Sequence, residues 1–505
     1  MTDASAPTPI GFTFPGPDHR GVYLGLRAPQ ALIIGSSVLT AVAAMVLVPS
    51  ALGLGVGLTC FLAGAGAAFL RVGGQNLDEW APVVGRWVLH RERQWVTPVP
   101  LWGETDDAAG VRAAPPPTLR GVSFLSVRRT TGETVGVVKD ATSGTWCAAL
   151  ACRGTSFALL DGVEQERLTA LWGQAVAGFA QEGSPVSRVA WVERTIPEEG
   201  DSLAAWLDAE AVLALGDPAY DSYAELIASA GPASQRHETF VVVAIDASRA
   251  RKAIRQAGGG DSGAAEVVLR ELDHLAERLR QADVEVGTRL DARALAGAVR
   301  VAFDPASVHK LAARERVDPS SGGGVAGRNA WPTATDTTWA RYHTDTGWHA
   351  TFHVAEWPRQ RVSASFLHPL ILRPRSQHSL AVVMEPIPPS RAARAVESAH
   401  ASHVADEDLR ARAGYMETAR RRRQHEELVR REEELARGHA EVRFAGYVTV
   451  TARSEEDLEF AAGEIEQLGY DARVELRRLY GRQDEAFTYT LPLGRGLGRL
   501  AGLGR

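Results

Sequence analysis

Three glutamates stand where paired carboxylates could perform acid–base chemistry. Glu193, Glu356 and Glu385 each fall near the end of a strand-like segment and shortly before a proline. Two carboxylates can act as general acid and general base when burial separates their pKa values. Proline also ends strands, because it cannot donate to the hydrogen-bond ladder. Because nothing in the sequence brings the three together, it predicts no catalytic residue.

The cysteines and histidines predict neither a metal site nor a cofactor. Cys147 and Cys152 lie five residues apart in an apparent strand, so they would face opposite sides of a sheet as buried structural thiols. His343, His349 and His353 cluster around a second strand, with the last two on one face. Zinc would need a further well-placed ligand and supporting hydrogen bonds.

The lysines exclude a phosphate-binding loop of the P-loop type. The chain has three lysines, Lys139, Lys252 and Lys310, followed by Asp, Ala and Leu. A P-loop requires Gly-x-x-x-x-Gly-Lys-Ser/Thr, in which backbone amides surround the phosphates and the lysine reaches their oxygens. The sequence therefore predicts that this chain is not an ATPase by itself.

Composition indicates a large, mostly globular chain. The 505 residues carry 55 basic and 61 acidic side chains, a formal charge of −6. This balance argues against direct binding to nucleic acid over a broad surface. Three cysteines cannot form a disulfide framework.

One long apolar run predicts a membrane anchor. From Ala28 to Leu70 there is no Asp, Glu, Lys, Arg or His. The run divides at Pro49-Ser50 into two segments, each about the 20 residues that cross a bilayer. Without an ionisable residue the spans offer no candidate for a proton or transport pathway. We therefore expect a two-helix hairpin in contact with lipid, and an anchor rather than a transporter.

Arginines flank this hairpin on both sides. Arg20 and Arg27 precede it, Arg71 and Arg86 follow it, and its tip carries no charge. The positive-inside rule then places both termini in the cytoplasm, at the cytoplasmic (inner) membrane.

Small residues recur on the second span. Gly53/Gly57 and Gly64/Ala68 form small-xxx-small pairs, which allow close helix approach in lipid. They would either pack the two helices together or contact a neighbouring subunit.

The remaining sequence predicts a membrane-anchored α+β protein. Alternating strand-like and helix-like segments occur in two blocks, as in split βαβ, ferredoxin-like domains. A helix with Trp80 and Trp87 follows the hairpin and suits the membrane interface. The predicted divisions are a cytosolic tail (1–27), the transmembrane hairpin (28–71), a juxtamembrane helix and Pro-rich linker (72–117), an α+β domain (118–317), a Gly-rich linker (318–336), a second α+β region with a long charged helix (337–493) and a basic tail (494–505).

Arg420–Arg423 could contact nucleic acid or an acidic partner. Arginines and glutamates alternate at i, i+4 spacing through the helix that follows, including the pairs Arg430/Glu434 and Glu427/Arg431. A solvated helix or a helix–helix contact therefore explains the run better than a nucleic-acid site.

Several short segments carry a family resemblance. The segments are 73–91, 182–186, 231–237, 348–352, 355–358, 383–386, 446–450 and 476–481. They resemble the architectural motifs of actinobacterial integral membrane proteins encoded in conjugation-type loci.

The layout is also similar to two type IV secretion parts. The hairpin resembles a PrgI/TraL-type inner-membrane subunit, and the rest resembles the N-terminal, non-ATPase region of a TraC/VirB-type secretion ATPase. The resemblance reaches Leu491-Pro492-Leu493 but lacks the motor that follows in such ATPases, consistent with the missing P-loop. It implies a non-enzymatic scaffold that docks a separately encoded ATPase in trans, beside other inner-membrane subunits, with a homo-oligomer left open.

Two other functions stay open. The chain also resembles EccE, a component of type VII secretion with a two-helix anchor and a cytosolic domain, and the identity of the ATPase partner would separate the two machines. A membrane-tethered enzyme using Glu193, Glu356 and Glu385 is the third hypothesis.

Overall fold

The computed structural model describes residues 12, 14, 28–72, 75–90, 92–97, 114–154, 157–197, 207, 217–230, 235–317, 324–412 and 419–497. Contacts divide the chain into two units. The sheet unit comprises residues 1–14, 92–387 and 442–497, and the helical unit comprises 15–91, 388–441 and 498–505.

The helices, in chain order, are α1 (Ala28–Leu47), α2 (Ala51–Phe69), α3 (Leu77–Leu89), α4 (Gly162–Ala177), α5 (Pro218–Ala230), α6 (Arg251–Gln256), α7 (Gly260–Gln281), α8 (Ala292–Phe303), α9 (Ser307–Val317), α10 (His368–Leu372), α11 (Pro389–Arg412), α12 (Ala419–Ala436), α13 (Glu455–Asp471) and α14 (Gln483–Phe487). The strands are β1 (Arg71–Val72), β2 (Gln75–Asn76), β3 (Gln94–Val96), β4 (Val122–Arg128), β5 (Thr134–Asp140), β6 (Thr145–Arg153), β7 (Val186–Pro197), β8 (Gln235–Asp246), β9 (Glu285–Arg289), β10 (Ala334–Thr337), β11 (Tyr342–Thr344), β12 (Trp348–Glu356), β13 (Gln377–Ile387), β14 (Glu441–Ala452) and β15 (Glu475–Arg478).

Thirteen of the strands in the described residues form one antiparallel sheet. Its order is β3-β10-β11-β12-β14-β13-β7-β8-β6-β5-β4, with β15 on β12 and β9 on β6. The two predicted α+β regions each supply one half, and the halves join where β13 pairs with β7. The central contact runs from Ser379 opposite Arg194 to Met384 opposite Val189.

Both halves repeat one connectivity. In the first half β6, α4, β7, β8, α7 and β9 follow in sequence, and the strands lie in the order β9-β6-β8-β7. In the second half β12, α10, β13, β14, α13 and β15 follow in sequence, and the strands lie in the order β15-β12-β14-β13. The sheet therefore consists of two β-α-β-β-α-β units placed edge to edge.

One face of the sheet carries two apolar cores. In the first, alternate residues of β6, such as Ala148 and Leu150, pack under the leucines of α7. In the second, Phe352 and its neighbours on β12 pack under α13. Trp191 on β7 contacts both cores, so α7 and α13 lie on the same side of the sheet.

The opposite face is crossed by the C-terminal segment. Arg495 pairs with Asp140 at 2.6 Å and donates to the Thr118 carbonyl oxygen at 2.7 Å. Arg188 donates to the Gly496 carbonyl oxygen, and the Leu497 amide donates to the hydroxyl of Tyr447. The start of the predicted basic tail is thus held on the sheet, and residues 498–505 lie outside the described residues.

Glycine permits the close approach of this segment. Gly494 has φ +61° and Gly496 has φ +106°, both in the left-handed region. A Cβ on Gly494 would lie 2.9 Å from the Cβ of Ala244, and one on Gly496 would lie 3.0 Å from the ring of Tyr447. Any other residue at these positions would push the segment off the sheet.

Two predicted linkers contain parts of this sheet. Trp95 on β3 pairs with Thr335 on β10, although β3 lies in the predicted Pro-rich linker and β10 lies largely in the Gly-rich one. Trp331 is buried and its ring lies 5.5 Å from Phe124. Tertiary contacts therefore order segments whose composition predicts linkers.

The apolar patterns of residues 157–160, 362–372 and 486–491 predict three strands, and none of the three forms. Residues 157–160 contain a short 3-10 helix, residues 362–372 contain α10, and residues 486–491 contain the end of α14 and a 3-10 turn. Pro369 within α10 removes a donor that a strand ladder would use. The other two runs are as short as a helical turn, and apolar periodicity does not distinguish the two states at that length.

The N-terminal segment contacts the sheet unit. Phe12 forms a backbone bridge with Val362, with hydrogen bonds of 2.8 and 3.0 Å. The Phe14 ring lies 5.3 Å from those of Trp357 and Phe366 and 5.8 Å from that of Phe444. These contacts, the aromatic clasp, hold a segment that precedes α1 against residues of the sheet unit that follow α2.

In the helical unit, α1 and α2 form a closely packed hairpin. A Cβ on Gly57 would lie 2.9 Å from the Ala41 carbonyl oxygen, and one on Gly64 would contact Ser37. The Gln30 side chain donates to the Ala68 carbonyl oxygen at 2.9 Å. The predicted small-xxx-small residues therefore pack the two helices together.

We expect Gly57→Leu to weaken this hairpin by about 1–3 kcal/mol, because its side chain would collide with the α1 backbone. Gly55→Leu is the matched control, since nothing lies within 4 Å of a Cβ at Gly55. The measurement is the recovery of monodisperse full-length protein after stepwise heating in detergent. Equal recovery of the two variants would contradict the packing.

Candidate functional site

Glu193 lies in a polar cluster on three adjacent strands. It is buried on β7, lies 3.0 Å from Nδ1 of His237 and accepts a hydrogen bond from Thr239, both on β8. Directly across the strands, Thr195 contacts His378 on β13, and its hydroxyl accepts from the His378 amide at 2.9 Å. Burial lowers the pKa of His378. The sequence offered no signal for this cluster, because cross-strand register brings its members together.

The other two predicted glutamates lie elsewhere. Glu385 pairs with Arg443 on the neighbouring strand, and Glu356 pairs with Arg359 at 2.6 Å. Glu193 lies opposite Leu380, so Glu385 is five residues, or about 17 Å, farther along β13. The structure therefore separates Glu193 from Glu385, and each of the three carboxylates already has its own partner.

His349 and His353 belong to a buried polar layer beneath α14. His349 lies 2.8 Å from the Thr344 hydroxyl and 2.9 Å from that of Thr451. His353 lies 3.1 Å from the Arg477 carbonyl oxygen. Burial lowers the pKa of His349 to about 3 and that of His353 to about 4, so both rings are neutral at physiological pH.

These histidines are too far apart to share a metal ion. They face the same side of β12 but are separated by four residues, or about 13 Å. His343 instead stacks on Trp348 at 4.2 Å. Within the part of the chain that the structure describes, no three His, Cys, Asp or Glu side chains are grouped so that they could hold a metal ion.

Cys147 and Cys152 face opposite sides of β6, as predicted. Cys152 belongs to the core under α7, whereas Cys147 lies beneath Gly494 on the other face. Both are free thiols, and burial raises the pKa of each to about 12. Neither cysteine is a reactive nucleophile in the folded protein.

The glycine at Gly414 predicts an interruption of the long charged helix over residues 390–437. The segment forms α11 and α12, and residues 413–418, including Gly414, lie outside the described residues. Arg422 and Arg423 are exposed. The predicted Arg430/Glu434 pair forms at 3.5 Å, whereas Arg431 pairs with Glu441 rather than Glu427. Ion pairs thus occupy part of this arginine-rich helix.

The features that could place the chain in a larger assembly are its two apolar helices. Two windows, Gln30–Leu47 and Ala51–Phe69, are long and apolar enough to cross a membrane. Only 17% of each window is buried inside the protein, so the chain itself leaves most of the apolar surface of these helices uncovered. The sequence predicts the two apolar helices but not the aromatic clasp. The available signal for the clasp was the pair Phe12 and Phe14 in a proline-rich tail.

Acid should unfold the protein through its buried histidines. Stability is fully present above the ordinary histidine pKa of 6.5 and is lost as the pH falls toward the folded values near 4 and 3. Each neutral ring contributes a slope of about 1.4 kcal/mol per pH unit. We expect His349→Gln to reduce the slope of the free energy of unfolding against pH by about 1.4 kcal/mol per pH unit between pH 6.5 and 4.5. The measurement is denaturant titration of the full chain in detergent at several pH values. An unchanged slope would mean that His349 is not buried as a neutral ring.

A family model matches part of the chain. Residues 233–354 match the family model "Putative type VII ESX secretion system translocon, EccE". The match starts just before β8, continues through α7 and α8, and ends on β12, so it includes parts of both halves of the sheet. No curated protein matches the chain. In this segment the chain is similar to a component of a secretion system.

Proposed function

We propose that this protein is a non-enzymatic, membrane-anchored subunit of a type VII secretion translocon, similar to EccE. The match of residues 233–354 to the EccE family carries the proposal. The matched segment supplies strands to both halves of the sheet, which favours a shared scaffold rather than a shared surface motif. The two β-α-β-β-α-β units would be ferredoxin-like domains that present a surface to other subunits.

The apolar helices would anchor this scaffold in the cytoplasmic membrane. Their packing through Gly57 and Gly64 suits two helices in lipid, where small residues allow close approach. The aromatic clasp adds a topological argument, because Phe14 precedes α1 and its partner Trp357 follows α2. Both flanks of the hairpin then lie on one side of the membrane, and the flanking arginines favour the cytoplasmic side.

A non-enzymatic role is favoured by what the reactive groups already contact. Glu193 is bound by His237 and Thr239, and the two buried cysteines have strongly raised pKa values. A Glu193→Gln variant that assembles normally but abolishes secretion would instead favour an enzyme.

The type IV hypothesis predicts a different partner. In it the sheet unit docks a separately encoded conjugation-type ATPase in trans at the membrane. The EccE match favours the type VII alternative, and the two proposals differ in which subunits surround the chain.

We expect other type VII subunits, including their ATPase, to copurify in near-stoichiometric amounts. The measurement is affinity purification of the tagged chain from native membranes in mild detergent, followed by mass spectrometry, with an unrelated tagged two-helix protein as control. A conjugation-type ATPase would establish the type IV hypothesis instead. Absence of either ATPase would contradict both scaffold proposals.

We expect the hairpin tip to be extracytoplasmic and both flanks cytoplasmic. In a Cys60→Ser background, single cysteines replace Ser5 before α1, Ser50 between α1 and α2, and the exposed Thr131 of the sheet unit. A membrane-impermeant maleimide applied to intact cells should label Ser50→Cys alone, and the flanks only after permeabilisation. Cys147 and Cys152 should stay unlabelled, because burial keeps them as thiols. Labelling of just one flank in intact cells would contradict the even number of crossings.

A further inference from the structure

Two helices occupy corresponding places in the two halves of the sheet. Each of α7 and α13 connects the third and fourth strands of its unit, and both cover the same face. The outward positions of α7 are polar and include charges of both signs, with Glu266, Arg270, His274 and Glu277 in helical succession. This is the ordinary surface of a solvated amphipathic helix.

The outward face of α13 differs in kind. Leu458, Ile465 and Leu468 point into the core. At 3.6 residues per turn the opposite side holds Phe460, Gly463, Gln467 and Tyr470, which we call the aromatic stripe. Phe460 is 72% exposed and Tyr470 is 68% exposed. Two aromatic rings thus stand in solvent where the matched helix of the other half has charges.

The spacing of the stripe suits a protein partner. Phe460 and Tyr470 lie ten residues apart, or about 15 Å along the helix. Nothing lies within 4 Å of a Cβ at Gly463 between them, so another backbone can approach closely there. Aromatic side chains are common among the residues that contribute most to the free energy of protein–protein binding.

The charge of α13 defines the chemistry of that partner. The helix carries seven acidic residues and no lysine or arginine. Some of the acids are paired within the sheet unit, as in Glu459 with Arg478 and Asp471 with Arg373 at 2.8 Å. Glu456 and Glu466 are exposed beside the stripe. Complementary charge steers association and fixes its register, so this face fits a basic surface.

We propose that the aromatic stripe of α13 is a docking surface for a protein segment that carries lysine or arginine beside apolar side chains. The apolar side chains of that segment cover Phe460 and Tyr470, and its backbone lies over Gly463. Its basic residues pair with Glu456 and Glu466. The inference goes beyond the proposed function, since neither the hairpin nor the family match enters it.

Site-specific photo-crosslinking in native membranes tests this surface. The photoreactive analogue p-benzoylphenylalanine replaces Phe460 or Tyr470 in the full chain, and His274 on the outward face of α7 is the matched control position. We expect both stripe positions to crosslink to the same polypeptide, through a peptide rich in lysine or arginine, with a yield about tenfold above the control. The double variant Glu456→Lys/Glu466→Lys should reduce that yield about tenfold, and Glu266→Lys/Glu277→Lys should not.

Several results would overturn the proposal. These are a yield no higher than at His274, adducts with lipid or with a second copy of this chain, a captured peptide without basic residues, and a yield insensitive to the charge reversal. Thermal unfolding of the reversed variant must match that of the parent, which excludes misfolding. If type VII subunits copurify but no crosslink forms, the docking surface is contradicted and the proposed function is not. If the crosslinked partner is basic but belongs to no secretion system, the proposed function is contradicted and the docking surface is not.

Discussion

The pairing of β7 with β13 is the constraint on which the sheet unit depends. It joins residues 186–197 to residues 377–387, nearly 200 positions apart in sequence, and converts two small β-α-β-β-α-β units into one sheet. Each unit alone would expose the edge of a long, apolar strand, which is a template for aggregation. Joined edge to edge, each unit covers the other's edge. Trp191 contributes to both cores across the junction.

The groups that could perform chemistry are buried or hydrogen-bonded within the sheet unit. Glu193 is fixed by His237 and Thr239, His349 by two threonines, and Cys147 lies under the C-terminal segment. Buried polar groups must be hydrogen-bonded, because an unpaired one loses its solvation without compensation. Among the described residues, the apolar helices and the aromatic stripe are surface features that these internal contacts do not explain.

The aromatic clasp and the C-terminal segment extend this organisation to the ends of the described chain. Phe14 packs among Trp357, Phe366 and Phe444, and Arg495 reaches Asp140 across the opposite face. Residues on both sides of α1 and α2 are therefore tied to one sheet.

The sequence by itself determined the features that depend on local pattern. An uninterrupted apolar run defines α1 and α2, alternation defines most strands, and Ser454 with Asp457 marks the start of α13, where the serine accepts from the Asp457 amide. Only the tertiary structure decided which strands are neighbours, because strand pairing depends on contacts between distant residues and leaves no periodic signal. The tertiary structure therefore places Glu193 beside His237 rather than Glu385. It also makes β3 and β10, which lie in predicted linkers, part of the sheet. The exposure of the outward face of α13 also depends on the tertiary structure. Helical periodicity predicts which side of the helix is buried, but only the packing shows that nothing in the described chain covers the opposite side.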